Sequence, residues 1–384
     1  MVKKNILFLM GTYPSYGGVE IVSTTLANRF IEDGHQVTIA SYKQPLHEAT
    51  PLNLSDQCNL LFLSYPVLSI RNIKKLREYI LTHQIEVLIN QWVVPFYATM
   101  VWKMATYGTN CQVYSVHHGS PDTNMHIQSL KRKVESGTWY LKGVYGLVRE
   151  VSRLSLAFCI KNSHKFILLS PAFIPVAQRF SRVKDSNKYL SIPNPIAISV
   201  SDEDVSKEKE IIYVGRIEYN QKRTDRVVDI WRELEPLYPN WKLTIVGDGD
   251  DREDLEKRIH EYGLKRVEIT GFVNPIKYYK RASILLLTSD YEGFGLVIVE
   301  AMKFGVVPVV YNSYEAAKDL IADRHNGVLI DNPFSIDAFI EVLRKLMDDK
   351  EPLNDISRNA IKISKRFDIY TVANEWYQLF DDNF

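Results

Sequence analysis

Short apolar runs alternate with amphipathic helical patterns along the first half of the chain. Residues 5–10 are almost continuously apolar and end at Gly11, which predicts a buried parallel strand. From residue 19 to residue 32 apolar positions recur every three to four residues, which predicts a helix. Further strand candidates lie at 36–40, 87–90, 112–116 and 166–169. Strands that alternate with helices indicate a doubly wound α/β domain.

The same alternation begins again in the second half. Strand candidates at 211–214, 243–246, 284–287 and 307–310 alternate with helical patterns at 224–237, 251–262 and 296–304. Two prolines in 191–195, followed by the polar run 201–204, predict a linker because proline supports neither helix nor ladder pairing. The pattern predicts two Rossmann-like α/β domains, at 1–195 and 196–366. A last helical pattern at 370–380 predicts that the segment 367–384 crosses back to the first domain.

The composition is that of an ordinary globular protein. Of 384 residues, 46% are hydrophobic and 24% are charged, which argues against disordered and fibrous classes. The three scattered cysteines, Cys58, Cys111 and Cys159, are too few for a disulfide framework and indicate a reducing compartment. No apolar run reaches the roughly 18 residues of a membrane span, and the run at 6–10 is too short for a signal peptide. We therefore expect a soluble, cytoplasmic protein.

A formal net charge of +1 hides an asymmetry between the halves. Residues 1–200 carry 21 Lys and Arg against 11 Asp and Glu, whereas residues 201–384 carry 26 against 35. Residues 127–161 alone hold seven Lys or Arg, interleaved with Trp139, Tyr140 and Tyr145. Cations beside aromatic rings are what a helix on an anionic membrane surface needs. We interpret 127–161 as a membrane-surface segment, with nucleic acid as a rival partner and an ordinary surface helix pair as the plain alternative.

The turn Ser289 to Gly295 carries the strongest candidate chemistry. It follows an apolar strand and leads into the helix that holds Glu300. Backbone N–H groups at a helix N-terminus favour a phosphate, and ligands of doubly wound sheets bind beyond the carboxyl ends of strands. Glu292 and Glu300 can face one pocket from a loop and from a helix. The alternative is a capping carboxylate and a solvated helix glutamate.

Cations and glycines follow neighbouring strands of the same half. Arg216 and Lys222, six residues apart, could neutralise a diphosphate together, although surface Lys and Arg are most often only solvated. Gly247 and Gly271 follow the next two strands, and Phe272 follows the second glycine. Both glycines could admit a flat or phosphorylated ligand close to the backbone, or could simply form turns.

The first half offers a glycine pair and a histidine pair. Gly17 and Gly18 begin the first helix, without the G-x-G-x-x-G spacing of a dinucleotide site. His117 and His118 end a strand, where an imidazole could bind a sugar hydroxyl, shift protons or be satisfied by the backbone. Because no H-E-x-x-H spacing occurs, we expect no catalytic metal.

In this order the motifs resemble those of family 4 of the glycosyltransferases, which are retaining, use nucleotide sugars and have the two-lobe GT-B fold. The segment from Glu292 to Met302 is similar to the E-x7-E signature of that family in full. Four further motifs accompany it in the expected order: Gly17-Gly18-Val19-Glu20, Pro193-Asn194-Pro195, Val214-Gly215-Arg216 with Lys222, and Val246-Gly247-Asp248-Gly249. One departure is Arg223, because the family often has glycine directly after the lysine.

The resemblance implies two α/β domains that face a central cleft, the first for the acceptor and the second for the donor. Arg216 and Lys222 would bind the donor diphosphate, Glu300 would bind the ribose hydroxyls, and Glu292 would lie at the transferred sugar. His117 is the predicted active-site histidine, with His118 as the alternative. The residues implied in the reaction are Glu292, His117, Arg216 and Lys222. Those implied in donor binding are Gly17, Gly18, Arg216, Lys222, Gly247, Gly271, Phe272, Gly293, Phe294, Gly295, Leu296 and Glu300.

The implied activity is transfer of a sugar, with retention, from a UDP- or GDP-sugar to a hydroxyl of a glycan or lipid-linked acceptor. The resemblance implies a role in cell-surface polysaccharide or glycolipid synthesis, at the inner face of the cell membrane, with no cofactor, no metal and no nucleic-acid partner. Two alternatives stay open. A nucleotide-sugar epimerase would change the stereochemistry of the donor without any acceptor, and a scaffold would bind the nucleotide sugar without catalysis.

Overall fold

Two parallel β-sheets organise the chain, one in each of two units. The computed structural model describes residues 2–15, 17–44, 53–196, 198 and 206–381. The N-terminal unit comprises Met1–Ala197 together with Asp368–Phe384, and the C-terminal unit comprises Ile198–Phe367. Each sheet is wholly parallel and carries helices between its strands, which confirms the prediction of two doubly wound α/β units. The polar run 201–204, predicted as part of a linker, lies outside the described residues.

The N-terminal unit is built on seven described strands. They are β1 (Asn5–Thr12), β2 (Gln36–Lys43), β3 (Asn59–Phe62), β4 (Val87–Asn90), β5 (Gln112–His117), β6 (Lys165–Leu168) and β7 (Tyr189–Ser191). Their order in the sheet is β3-β2-β1-β4-β5-β6-β7. All residues of β4 and the run from Ile6 to Met10 in β1 are buried, because both faces of a parallel sheet are covered by helices.

The helices of this unit connect successive strands and cover the sheet. They are α1 (Gly18–Glu32), α2 (Ile70–Thr82), α3 (Phe96–Thr106), α4 (Met125–Glu135), α5 (Lys142–Asn162) and α6 (Phe173–Ser181). The prediction that 191–195 is a linker is wrong for Ser191, which pairs with Leu168 in the sheet. The residues from Ile192 to Ile196 are buried rather than solvated, since the chain stays on the unit and Ile196 forms a parallel bridge with Asp368.

The C-terminal unit repeats this design with six described strands. They are β8 (Glu210–Val214), β9 (Lys242–Val246), β10 (Val267–Ile269), β11 (Ile284–Leu287), β12 (Val307–Tyr311) and β13 (Val328–Ile330), in the sheet order β10-β9-β8-β11-β12-β13. The strand order reverses between β8 and β11. This is the position where doubly wound sheets open a crevice for ligands beyond the carboxyl ends of their strands.

Seven helices are described in the C-terminal unit. They are α7 (Thr224–Leu234), α8 (Arg252–Glu261), α9 (Ile276–Arg281), α10 (Leu296–Lys303), α11 (Ala317–Leu320), α12 (Ile336–Asp348) and α13 (Lys350–Ser364). Helix α7 ends three residues before the predicted end at residue 237. The reason is Pro236, which has no N–H to donate to the carbonyl four residues earlier.

The last helix, α14 (Ile369–Asp381), packs on the N-terminal unit. Its buried face lies against Phe30 of α1, whose ring centroid is 5.5 Å from that of Tyr377 and 5.7 Å from that of Phe380. The Tyr377 hydroxyl donates a hydrogen bond to the Asp33 carboxylate. Trp376 is buried in the same aromatic cluster, with its ring 5.9 Å from that of Phe380. The C-terminus is therefore part of the core of the first unit.

The described part of the chain contains no helix whose length and apolar character would suffice to cross a membrane.

Replacing Trp376 by alanine should destabilise the N-terminal unit by about 3–5 kcal/mol, since the change removes a buried aromatic side chain and leaves a cavity. The measurement is urea unfolding of the full chain followed by far-UV circular dichroism. The matched control is Asn374→Ala on the exposed face of α14, which should stay within about 0.5 kcal/mol of the parent. Equal stabilities of both variants would contradict the docking of α14.

Candidate active site

Two loops meet at the carboxyl ends of β8 and β11, the neighbouring strands where the sheet order reverses. The first loop runs from residue 215 to residue 223 and the second from 288 to 295. The backbone N–H of Asp290 donates to the carbonyl of Gln221 at 2.8 Å, and the Gln221 side-chain amide donates to the carbonyl of Tyr291 at 3.1 Å. These bonds hold the two loops together and fix the side chains that they carry.

Lys222 and Glu292, one from each loop, form an ion pair. Lys222 Nζ lies 2.7 Å from Glu292 Oε1, and the same oxygen accepts a hydrogen bond from Ser289 Oγ at 2.7 Å. The Glu292 side chain is only 7% exposed, so its charge depends on these partners rather than on water. The structure brings together two residues that were predicted for different parts of the donor. Lys222 is bound to the carboxylate that is expected at the sugar.

The structure shows how the turn accommodates Arg223, the one departure from the family pattern. Its φ of +52° is left-handed, a conformation that glycine adopts without the steric cost borne by other residues. The strained backbone is held from both sides: the Arg223 carbonyl accepts from Thr288 Oγ1 at 2.9 Å, and its guanidinium binds Asp225 at 2.8 and 3.0 Å. The turn keeps the conformation that a glycine would allow, although an arginine occupies it.

Arg216 is the exposed cation of this site. Its side chain has no ion-pair partner among the residues that the structure describes, and its carbonyl accepts the Tyr213 hydroxyl at 2.8 Å. Burial raises the pKa of Tyr213, so that hydroxyl keeps its proton and anchors the backbone at neutral pH. An anchored backbone with a free guanidinium suits the binding of an anion.

Gly247 is required by close packing of the backbone. A Cβ atom on Gly247 would lie 1.9 Å from the carbonyl oxygen of Gly215, and the φ of Gly247 is +155°. Gly247 also forms an antiparallel bridge with Gly271. The φ of Gly271, +74°, favours glycine there as well, and the side chain of Phe272 beside it is 75% exposed.

Helix α10 presents its N-terminus next to the ion pair. Gly295, at φ +83°, precedes the helix, and none of the described side chains caps its N–H groups. A Cβ on Gly295 would lie 2.7 Å from the Tyr314 hydroxyl oxygen. The ring of Phe294 is buried, 5.7 Å from the Phe367 ring, so only its backbone can reach a ligand. Gly293 and Leu296 complete a backbone turn whose N–H groups favour an anion.

Glu300 lies on helix α10, eight residues after Glu292, and has a different hydrogen-bond partner. The Tyr279 hydroxyl donates to Glu300 Oε2 at 3.0 Å. Burial raises the pKa of Glu300 to about 7, and the hydrogen bond from Tyr279 opposes that rise. Near neutral pH the side chain therefore exchanges between a carboxylate, which accepts two hydrogen bonds from a diol, and a carboxylic acid.

Gly17 and Gly18 lie at the N-terminus of α1, as predicted. A Cβ on Gly17 would lie 2.1 Å from Glu20 Oε2, whereas a Cβ on Gly18 would meet open space. A Cβ on Gly17 would displace only the end of the flexible Glu20 side chain, and Gly18 leaves the backbone accessible.

His117 is the last residue of β5, and His118 directly follows that strand. Its ring is buried, with Nε2 3.3 Å from the Ser120 carbonyl, and burial lowers its pKa. His118 is only half-buried, and its Nε2 lies 2.5 Å from Gln91 Oε1. Burial, followed by the neighbouring His117, lowers the pKa of His118 to about 3. Burial lowers the pKa of both imidazoles, so both are neutral at pH 7 and are weak bases.

Three partners of the site escaped sequence reasoning. Ser289 binds Glu292, Tyr279 binds Glu300, and Glu218 Oε1 accepts the backbone N–H of Lys222 at 2.8 Å. Ser289 lay inside the predicted loop, so its position was a usable signal. Tyr279 and Glu218 carry no motif, and only the fold brings them to the site.

Two family profiles match adjoining parts of the chain. The profile described as Glycosyltransferase Family 4 matches residues 16–198, and the one described as Glycosyl transferases group 1 matches residues 198–363.

The chain is similar in sequence to characterised and uncharacterised glycosyltransferases, over part or nearly all of its length. An alpha-1,4-N-acetyl-D-galactosaminyltransferase of Campylobacter jejuni, named for a PP-undecaprenol-linked substrate, is 31% identical over 46% of this chain and 49% of its own. The chain thus spans about half the length of that relative. An uncharacterised glycosyltransferase of Haemophilus influenzae is 25% identical over 97% of this chain and 99% of its own.

Solved structures share the fold. Anabaena HepE in complex with UDP-glucose superposes with a TM-score of 0.75 at 17% identity, over 99% of this chain and 100% of that chain. The apo form of the lipopolysaccharide outer core galactosyltransferase WaaB gives 0.74 at 18% identity, with the same coverage. The fold is therefore that of the GT-B glycosyltransferases, as predicted.

The raised pKa of Glu300 makes stability depend on pH. The unfolded chain releases this proton near pH 4.5 and the folded chain near about pH 7, so the stability contributed by Glu300 falls as pH rises between these values. The free energy of unfolding of the parent, relative to Glu300→Gln, should drop by up to about 3 kcal/mol from about pH 5 to about pH 8.

Urea unfolding of both chains at the two pH values measures this difference. Glu253→Gln, at an exposed position of α8, is the control and should show no comparable change with pH. A constant difference between the parent and Glu300→Gln would refute the burial of the Glu300 carboxyl group.

Proposed function

The chain belongs to family 4 of the glycosyltransferases, and we propose that it transfers a sugar, with retention, from a nucleoside-diphosphate sugar to a hydroxyl of a glycan or lipid-linked acceptor. The C-terminal unit binds the donor and the N-terminal unit binds the acceptor. The observation that carries this proposal is the ion pair of Lys222 with Glu292, set beside the exposed Arg216 and the uncapped N-terminus of α10.

The leaving group in such a reaction is a nucleoside diphosphate, whose negative charge grows as the sugar departs. Arg216, Lys222 and the N–H groups of α10 supply positive charge at this site and can stabilise the leaving group without a metal. Glu292 orients the sugar, and Glu300 binds the ribose hydroxyls. The acceptor hydroxyl attacks the anomeric carbon on the face from which the phosphate leaves, and a departing phosphate oxygen takes its proton. The bond between the anomeric carbon and the acceptor oxygen forms as the bond between that carbon and the diphosphate oxygen breaks.

The relatives support the substrate classes. The Anabaena structure holds UDP-glucose, and the Campylobacter enzyme is named for a saccharide on a diphosphate-linked lipid. Other similar proteins are named for amylovoran biosynthesis and for lipopolysaccharide galactosyl transfer. A UDP- or GDP-sugar donor and an acceptor from cell-surface glycan or glycolipid synthesis fit these names and the cationic site.

Arg216→Ala should weaken donor binding by about 10- to 100-fold, because it removes a charge-assisted hydrogen bond to the diphosphate worth about 1.5–3 kcal/mol. A thermal-shift screen first identifies the nucleotide sugar that stabilises the parent, and calorimetry then measures its affinity. Arg232→Ala, which removes an exposed arginine of α7, is the control and should bind like the parent.

With that donor, the parent should form product only when an acceptor is present, should keep the anomeric configuration, and should stay active in EDTA. Donor affinity that is equal in both arginine variants would eliminate the proposed site. Epimerised donor in the absence of acceptor would identify an epimerase instead.

We further propose that the chain docks on an anionic membrane through α5 and the turn before it. Val144, Leu147, Val151 and Leu154 are exposed and spaced three or four residues apart, so they form one apolar stripe on the helix. Trp139, 77% exposed, precedes that helix. Amphipathic rings at headgroup level and an apolar helix face are the features of an interfacial helix, and the basic N-terminal half complements anionic lipid.

The double variant Leu147→Glu/Leu154→Glu should lose at least about tenfold in membrane affinity, because each leucine contributes about 1.5–3 kcal/mol when buried in lipid. Sedimentation with phosphatidylglycerol vesicles at low salt measures it. Leu237→Glu, at an equally exposed leucine of the C-terminal unit, is the control. A parent chain that stays in the supernatant would disprove membrane docking.

A further inference from the structure

Four arginines surround one cavity of the N-terminal unit. The cavity measures about 150 Å³ and is lined by Arg149 and Arg153 of α5, by Arg179 of α6 and Arg182 after it, and by the acidic residues Asp122 and Glu150. We call it the arginine cavity. One water molecule requires only about 10–15 Å³ of such space, so the cavity can hold a phosphate group with several of its waters.

The charges of the arginine cavity do not cancel. Arg153 is matched by Glu150, at 2.5 and 2.8 Å. Asp122 accepts a hydrogen bond from Ser120 Oγ at 2.9 Å. Neither Arg179 nor Arg182 has an ion-pair partner among the described residues, and both are exposed. Four guanidinium groups against two carboxylates leave a formal excess of +2, which an anion of two charges would balance.

Two of the four guanidinium groups, those of Arg149 and Arg153, are held by neighbouring side chains. The Arg149 guanidinium carbon lies 5.4 Å from the centre of the Phe180 ring, a cation–π distance. Arg182 follows α6 with a left-handed φ of +61°, at the helix end where glycine or asparagine is usual. The guanidinium groups of Arg153, Arg182 and Arg149 together lower the pKa of Glu150, which shows that their fields converge there. Arginine forks held in this way match the oxygens of a phosphate.

The arginine cavity adjoins the loop that carries the candidate histidines. Asp122 lies five residues after His117, and the two are joined through Ser120, whose carbonyl contacts His117 Nε2 at 3.3 Å and whose hydroxyl binds Asp122. The cavity therefore borders the carboxyl end of β5, where a doubly wound unit binds its ligand.

The arginines do not share a face with the apolar stripe of α5. Arg149 comes two residues after Leu147, and Arg153 comes two residues after Val151. Two residues correspond to about 200° around a helix, so the cations point away from the stripe. The side chains of Arg149 and Arg153 therefore line the cavity and stay separate from the apolar stripe.

We propose that the arginine cavity binds a phosphate or diphosphate group carried by the acceptor. This inference rests on the proposed function, in which the N-terminal unit takes the acceptor, and it specifies that acceptor as a phosphorylated one. The acceptor then carries both the hydroxyl that receives the sugar and a phosphate or diphosphate group that Arg179 and Arg182 bind.

The test uses inorganic pyrophosphate as the probe and Arg216→Ala as the background, so that the donor site contributes little. In calorimetry at low salt, adding Arg179→Gln/Arg182→Gln should weaken pyrophosphate binding at least about tenfold. Neither side chain forms an ion pair with a described residue, and Glu150 keeps its hydrogen bonds to Arg153, so the change leaves that carboxylate paired. Lys74→Gln/Lys161→Gln, outside the cavity, removes the same charge from the same unit and should change the affinity by less than about twofold.

A second arm separates acceptor phosphate from bulk lipid. The chain with Arg179→Gln/Arg182→Gln should still sediment with phosphatidylglycerol vesicles, and pyrophosphate should not release the parent from them. Equal pyrophosphate affinity in the arginine and lysine variants would overturn the site. Loss of vesicle binding in the arginine variant alone would overturn the assignment to the acceptor and identify a lipid headgroup site. Neither readout needs sugar transfer, so failure of the proposed function would be seen separately, as absence of product in the transfer assay.

Discussion

The ion pair of Lys222 with Glu292 is the contact on which the candidate site depends. Its two members are 70 residues apart and come from loops after neighbouring strands, so the pair forms only when β8 and β11 lie side by side. A carboxylate this deeply buried is costly unless a cation compensates it. One backbone and one side-chain hydrogen bond between Gln221 and the second loop hold the two loops together. In the proposed reaction the diphosphate competes with Glu292 for Lys222, so binding of the donor shifts a cation within the site instead of ordering a new one.

The strained turn at Arg223 shows how the same geometry tolerates a change of residue. A left-handed arginine costs roughly 1–2 kcal/mol that a glycine would not cost. Its side chain is ordered by Asp225, and Asp290 is in turn bound by Arg226 at 2.6 Å. Arg226 lies 4.0 Å from the centre of the Phe334 ring. An arginine at this position thus anchors the backbone next to Lys222 through its contact with Asp225. The turn keeps a left-handed conformation that glycine also adopts.

Sequence patterns predicted the elements that are long and continuously apolar. Strands such as β1 and β12 are apolar because helices cover both faces, and the helices between the strands have clear periodicity. The edge strands β3, β7 and β13 are only three or four residues long and gave no such run. Motif order identified Glu292, Arg216 and Lys222, but the partners of these residues could not be read from it. Tyr279 meets Glu300 only because α9 and α10 fold together, and a contact between distant residues leaves no periodic signal.

The role of the basic residues in the first half could not be read from the sequence either, and it becomes clear only from their positions in the fold. The basic excess of the first half suggested attraction to an anionic partner, either a membrane or nucleic acid. The structure resolves part of that excess into two arrangements on α5: an apolar stripe on one side, and Arg149 and Arg153 about 200° away. Cations on the far side of a helix that lies on lipid are about a helix diameter from the surface charge, where screening has weakened the attraction. An anion that reaches them from the protein side binds them at short range, and a phosphorylated acceptor whose lipid stays in the membrane would do so.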